Sequence, residues 1–92
     1  MFENLEKLIK TIRERKNSSS DKSYTNKLLN DKSLSVAKVK EEVGELIEAI
    51  DKGHNINQIH EAADVVYHLM VYLEANNIMI EEVMDELKKR QK

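Results

Sequence analysis

Apolar residues recur along this chain at intervals of three and four residues, the spacing of amphipathic α-helices. Four helical segments are predicted: one from residue 2 to about residue 16, one over 35–51, one over 57–75 and one from residue 80 to the basic C-terminal end. The stretch "YTNKLL" indicates one short helical turn after the polar segment "NSSSDKS". With no Pro and only two Gly, the chain has few strand or turn signals. We therefore predict an all-α fold with four helices.

The second and third predicted helices are joined around Gly53, which suits a left-handed helix C-cap. A connection this short makes the two helices antiparallel neighbours. Glu45 and Glu61 each lie eight residues from Gly53, and Glu42 and Asp64 each lie eleven residues from it. Residues equidistant from the turn lie at similar heights. The spacing thus predicts that Glu45 lies near Glu61 and Glu42 near Asp64.

The third predicted helix is apolar around most of its circumference, which is typical of a helix buried on every side. Its exceptions, Glu61, Asp64 and His68, fall at i, i+3 and i+7 and form one polar line. A chain of 92 residues could hardly cover such a helix alone. We therefore expect a homodimeric bundle of four-helix protomers with a central antiparallel hairpin.

The predicted hairpin brings four carboxylates together, those of Glu42, Glu45, Glu61 and Asp64. Carboxylates at close range repel unless they are protonated or neutralised by a cation. Hard oxygen ligands without Cys or clustered His indicate Mg²⁺ or Mn²⁺ rather than Zn²⁺. Such a metal could hold phosphate oxygens and activate a water. The alternative is that these carboxylates form ion pairs with lysines of a partner helix.

Other polar and aromatic residues near this line leave alternatives open. Glu41 points away from the apolar stripe, so it is either a solvated acid or an outer-sphere base. His68 either meets a phosphate or orients a carboxylate, or it is a buried structural histidine. Tyr67 and Tyr72 are assigned to the core or an interface rather than to stacking on a substrate.

The bulk composition narrows the class of protein. A chain of 92 residues without Cys predicts a single domain over residues 1–92, with neither disulfides nor a thiolate metal site. The longest apolar stretch, 65–73, is far short of the about 20 residues of a membrane span, and the N-terminus is amphipathic and charged rather than a signal peptide. These features predict a soluble, cytoplasmic protein that does not bind membranes.

The net charge of −2 conceals two opposite blocks. Residues 22–40 carry five lysines against one aspartate, and residues 41–64 carry seven acids against one lysine. Adjacent basic and acidic blocks disfavour a nucleic-acid partner. They suit a phosphate-rich ligand that arrives with a divalent cation, although two solvated helix faces would give the same pattern.

Two motifs resemble a known family. "EEVGELIEAI" at 41–50, followed by "EAAD" at 61–64, is similar to the EExxE…ExxD signature of the all-α nucleoside triphosphate pyrophosphohydrolases, the MazG-like superfamily. Within it, "SYTNKLL", "KVKEEVGE" and "EAADVVYHLMVYL" resemble the phosphoribosyl-ATP pyrophosphatases of histidine biosynthesis. The resemblance covers essentially the whole chain. It departs from the family at Lys40, where a small residue is usual, and at Met79, where a Ser N-cap is common.

The resemblance implies a Mg²⁺-dependent hydrolase, with Mn²⁺ as an alternative, that converts phosphoribosyl-ATP to phosphoribosyl-AMP and pyrophosphate. By motif position the metal ligands would be Glu42, Glu45, Glu61 and Asp64. Glu41 would either bind the metal directly or contact the residues that bind it. The substrate would be bound by Ser23, Tyr24, Thr25, Lys27, Lys38 and His68. The resemblance further implies a functional link to the phosphoribosyl-AMP cyclohydrolase that follows in the pathway.

Two other functions fit parts of the pattern. A house-cleaning pyrophosphatase acting on dUTP, dCTP or a damaged nucleotide would use the same carboxylates, and only the "SYTNKLL" segment argues against it. A non-catalytic helical interaction module would need the carboxylates only for structure.

Overall fold

The computed structural model describes residues 1–18, 23–53 and 55–91. Five helices make up this part of the chain: α1 Glu3–Arg15, α2 Tyr24–Asn30, α3 Lys32–Lys52, α4 Asn55–Ala75 and α5 Ile80–Arg90. No strand occurs among the described residues, so the all-α prediction is confirmed. The predicted number of four helices is wrong, because the "YTNKLL" stretch forms a separate seven-residue helix rather than a single turn.

Two side-chain caps explain the additional helix and the early start of α3. The Ser23 side chain accepts a hydrogen bond from the Asn26 amide at 3.1 Å, which starts α2. The Asp31 side chain accepts one from the Leu34 amide at 3.0 Å, so α3 begins at Lys32, three residues before the predicted start. An N-cap of this kind stabilises a helix by about 1 kcal/mol. Asp31 therefore both ends α2 and starts α3.

The predicted hairpin is confirmed. Gly53 adopts a left-handed conformation with φ of 74°, and its amide donates a hydrogen bond to the Ile50 carbonyl at 3.0 Å. α3 and α4 then pack against each other more extensively than any other helix pair of the described chain. The "NN" break after α4 is also observed, since Asn77 adopts a φ of 58° and the Ile78 amide bonds back to the Leu73 carbonyl.

The apolar core lies between α1, α2 and the C-terminal half of α4. Its buried members are Ile12, Leu28, Leu29, Val71 and Ala75. Each large aliphatic side chain buried in this way stabilises the fold by about 1.5–3 kcal/mol. This core holds α1 and α2 against the C-terminal half of α4.

An ion pair links α5 to α1. Arg13 donates two hydrogen bonds to the Glu81 carboxylate, at 2.6 and 3.0 Å, and a third to Glu74 at 3.4 Å. The Arg13 guanidinium lowers the pKa of Glu81 to about 2. Met79 stands at the N-cap of α5 without a side-chain hydrogen bond, as its departure from the family pattern predicts. Among the described residues, no helix combines the length and apolar character that a membrane crossing requires.

Candidate metal and phosphate site

The α3–α4 hairpin gathers the predicted carboxylates into two groups of close ligand atoms that share Glu61, together called the cluster below. One oxygen each from Glu42, Glu45 and Glu61 lie within 4.8 Å of one another. Ligand atoms of His60, Glu61 and Asp64 do the same, so Glu61 belongs to both groups. The proximity of Glu45 to Glu61, expected from their equal distance to Gly53, is therefore observed.

The electrostatics of the cluster reflect burial and mutual repulsion. The pKa of Glu42 is raised by burial, then by a hydrogen bond shared with Glu45 and by the negative charges of Glu45 and Asp64. The pKa of Glu61 is raised by the same causes, with burial the largest and Glu45 next. Burial and mutual repulsion thus disfavour the ionised carboxylates, and a bound cation would offset both effects.

Two oxygens of this cluster are buried without a partner. Glu42 is only 7% exposed, and neither its Oε2 nor the Oε2 of Glu61 has a hydrogen bond within the described residues. Burying a polar atom without a hydrogen-bond partner costs about one to several kcal/mol. Carboxylate oxygens of this kind are the ligands that Mg²⁺ prefers in proteins. The residues present thus fit a divalent metal.

Two basic side chains border the cluster. Lys38 places its Nζ 3.1 Å from Glu41 Oε2 and 3.8 Å from Glu42 Oε1. His60 Nε2 lies 3.3 Å from Asp64 Oδ2, a neighbour that the sequence reasoning missed. Glu41 is half exposed and lies outside the two groups of close ligand atoms, on the side of Lys38. Its predicted role as a metal ligand or base stays a prediction.

His68 lies beside the carboxylates and is itself buried, with 6% of its surface exposed. Its Nε2 is 3.9 Å from Glu42 Oε1, too long for a hydrogen bond. Burial, followed by the positive charge of Lys38, lowers the pKa of His68. Both effects favour the neutral imidazole. The structure shows the burial of His68, whereas its role in meeting a phosphate or orienting a carboxylate stays a prediction.

The predicted substrate segment covers the first turn of α2 and lies against the same histidine. Tyr24 is half exposed, and its ring meets the His68 ring edge-to-face with centroids 6.2 Å apart. Thr25 Oγ1 shares a hydrogen bond with the hydroxyl of Tyr67. Ser23 is the N-cap of this helix, and Lys27 is exposed on its surface. The first turn of α2 thus lies next to His68, at the end of the polar line of α4 that begins with the carboxylates.

The geometry can be compared with known proteins. The family model described as "Phosphoribosyl-ATP pyrophosphohydrolase" matches residues 5–91. The chain belongs to this family. A phosphoribosyl-ATP pyrophosphatase of Bacillus cereus (strain B4264) is 44% identical over 93 residues, covering 97% of this chain and 85% of the relative. One from Clostridium acetobutylicum is 42% identical over 89 residues, covering 94% of this chain and 79% of the relative.

A third relative has a different organisation. The histidine biosynthesis bifunctional protein HisIE of Buchnera aphidicola is 44% identical over 85 residues, which are 91% of this chain but only 40% of that protein. This member of the phosphoribosyl-ATP pyrophosphohydrolase family therefore corresponds to one part of a longer two-function protein. Its carboxylate cluster and the first turn of α2 coincide with the motifs on which the resemblance rests.

Proposed function

We propose that this protein hydrolyses phosphoribosyl-ATP to phosphoribosyl-AMP and pyrophosphate, the second step of histidine biosynthesis. Family membership over residues 5–91 and the names of the relatives support this activity. The observation that carries it is the pair of ligand groups that share Glu61, one with Glu42 and Glu45 and one with Asp64 and His60. They include two buried oxygens that have no hydrogen bond within the described residues. Similarity to part of a bifunctional histidine-biosynthesis protein supports a functional link to the cyclohydrolase step that follows.

We propose that these four carboxylates hold Mg²⁺, with Mn²⁺ as the alternative ion. When bound, such an ion neutralises phosphate oxygens and makes a coordinated water more acidic. The carboxylates supply the hard oxygen ligands and the negative charge that a divalent cation requires. One oxygen each of Glu42, Glu45 and Glu61 already lie within 4.8 Å of one another, so the three side chains are positioned to bind one ion.

The remaining residues bind and orient the substrate. Phosphoryl transfer depends mainly on positioning and charge stabilisation. Lys38, which is near Glu42, places a positive charge where a phosphate would approach the cluster. Tyr24 presents an exposed ring, and Thr25 and Lys27 present polar groups on the same helix. Neutral His68 fills the space between this helix and the carboxylates without adding a competing positive charge.

The decisive experiment measures pyrophosphate release with Mg²⁺ from phosphoribosyl-ATP, ATP, dUTP and dCTP at equal concentration. We expect strong preference for phosphoribosyl-ATP, and loss of turnover and of Mg²⁺-induced thermal stabilisation in Glu61→Gln. Glu48→Gln is the matched control, because Glu48 pairs with Lys52 on the exposed side of α3. Preference for dUTP or dCTP would favour a house-cleaning enzyme instead. No release from any nucleotide, with a Glu61→Gln variant indistinguishable from wild type, would favour the interaction module.

We also propose that the protein is a homodimer. α3 exposes Val43, Ile47 and Ile50 at i, i+4 and i+7, and α4 exposes Val66 and Leu69. The radius of gyration is 14.3 Å, whereas a compact chain of this length has about 12 Å. A second copy would cover these apolar side chains. Light scattering is expected to give a dimer at micromolar concentration and a monomer for Ile47→Glu, and a monomeric wild type would contradict the proposal.

A further inference from the structure

The short helix α2 depends on tertiary contacts for its position. It has seven residues, and isolated helices shorter than about 12–15 residues are marginal in water. Leu28 and Leu29 hold its C-terminal part in the core. Its first turn, which carries the predicted substrate residues, has two polar attachments to other helices. The Asn26 side chain donates to the Arg15 carbonyl at the end of α1, and Thr25 shares a hydrogen bond with Tyr67 of α4.

The bond from Thr25 to Tyr67 closes a compact set of four side chains. Thr25 Oγ1 and the Tyr67 hydroxyl are 2.5 Å apart. The Tyr67 ring meets the His68 ring at a centroid distance of 4.9 Å and an angle of 73°. The His68 ring in turn meets that of Tyr24, the residue before Thr25. Two consecutive residues of α2 thus contact two consecutive residues of α4.

Within this set, His68 is the side chain next to the carboxylate cluster, since its Nε2 lies 3.9 Å from Glu42 Oε1. The described polar contact of Tyr67 is the one to Thr25, so the hydroxyl acts on the site through α2. Removing the hydroxyl as in Tyr67→Phe keeps the ring and its edge-to-face contact with His68. The substitution therefore removes one of the two polar attachments of this turn and leaves the carboxylates of α3 and α4 unchanged.

We infer that Tyr67 is a positioning residue for substrate binding: its hydroxyl, bonded to Thr25, keeps the first turn of α2 in the position that receives phosphoribosyl-ATP. The inference rests on the proposed function. A protein whose competent form is only partly populated binds its ligand more weakly in proportion to that fraction. Because one hydrogen bond is lost, the KM of Tyr67→Phe should rise about fivefold. The kcat should stay within about twofold, because bound substrate holds α2 in place again.

The test compares Tyr67→Phe, Thr25→Val and the double variant with wild type. Tyr72→Phe is the matched control, because Tyr72 lies on the same helix and its side chain has no hydrogen bond to α2 in the described part of the chain. Three quantities are measured: KM and kcat for phosphoribosyl-ATP, thermal stabilisation by Mg²⁺, and amide hydrogen exchange over residues 24–30. The expected results for Tyr67→Phe are a raised KM, faster exchange in α2 and unchanged Mg²⁺ stabilisation. The double variant should be no worse than Thr25→Val alone.

Four results would overturn the inference. These are an unchanged KM in Tyr67→Phe, a fall in kcat at constant KM, additive effects in the double variant, and the same KM rise in Tyr72→Phe. Failure of the proposed function has a different signature, because wild type itself would then not hydrolyse phosphoribosyl-ATP, and the inference would fall with it. Wild-type turnover combined with an unaltered Tyr67→Phe variant would contradict only the role of Tyr67.

Discussion

Replacing Glu42 by Gln is expected to stabilise the metal-free protein while removing its response to Mg²⁺. Glu42 is the most buried member of the cluster, and its raised pKa shows that the surroundings disfavour its charge. A glutamine has nearly the same shape and can donate its amide hydrogens to Glu45. Function and stability therefore oppose each other at this position. The negative charge of Glu42 is needed to bind Mg²⁺, but it destabilises the fold when no Mg²⁺ is bound.

The size of the effect follows from the distances. The oxygens of Glu42, Glu45 and Glu61 lie within 4.8 Å of one another. At that upper limit, two unit charges repel by about 0.9 kcal/mol at the dielectric constant of water and by about 3.5 kcal/mol at an effective value near 20. Glu42 has Glu45, Glu61 and Asp64 as negative neighbours, and Lys38 at 3.8 Å offsets one of these repulsions. We therefore expect a gain of about 1–3 kcal/mol. For a domain of this size, that corresponds to a rise in melting temperature of at least about 4 °C.

The assay is thermal unfolding followed by circular dichroism, at one protein concentration and neutral pH, with EDTA or with saturating Mg²⁺. Glu48→Gln provides the control, because it removes the same charge from an exposed pair with Lys52 on the same helix. The reasoning is refuted if Glu42→Gln melts below wild type in EDTA. It is equally refuted if Mg²⁺ raises the melting temperatures of Glu42→Gln and wild type by the same amount.

Two further predictions concern α5. The Arg13 guanidinium lowers the pKa of Glu81 from an ordinary 4.5 to about 2, so the pair stabilises the fold above about pH 4.5 and the stabilisation is lost as the pH falls towards 2. Wild type should therefore melt above Glu81→Gln at neutral pH, and the difference should vanish near pH 2 and shrink in high salt; a difference independent of pH would contradict this. At the uncapped start of α5, Met79→Ser should exceed Met79→Ala in stability by about 1 kcal/mol in urea unfolding, and equal midpoints would show that no cap had formed.

Several features follow from local sequence patterns alone. The three- and four-residue spacing of apolar residues predicts the helical class, and Gly53 predicts the hairpin, because both depend on a few neighbouring residues. The proximity of Glu45 and Glu61 also follows, because the turn between them is short and both helices are regular. The extra helix α2 was underestimated, although the local Ser23 and Asp31 caps were present in the sequence.

Other features depend on the tertiary structure. The burial of Glu42 comes from the packing of α4 against α3, whereas position on its own helix places Glu42 only at the border of the apolar stripe. The bond between Thr25 and Tyr67 joins residues 42 positions apart, and Tyr67 was assigned to the core or an interface because nothing in its own segment indicates a partner on α2. Periodicity and turn geometry are properties of adjacent residues, so the sequence alone determined the hairpin and its carboxylates. Burial and long-range hydrogen bonds arise only when helices pack, so the tertiary structure decided which carboxylate is buried and what holds α2 beside the site.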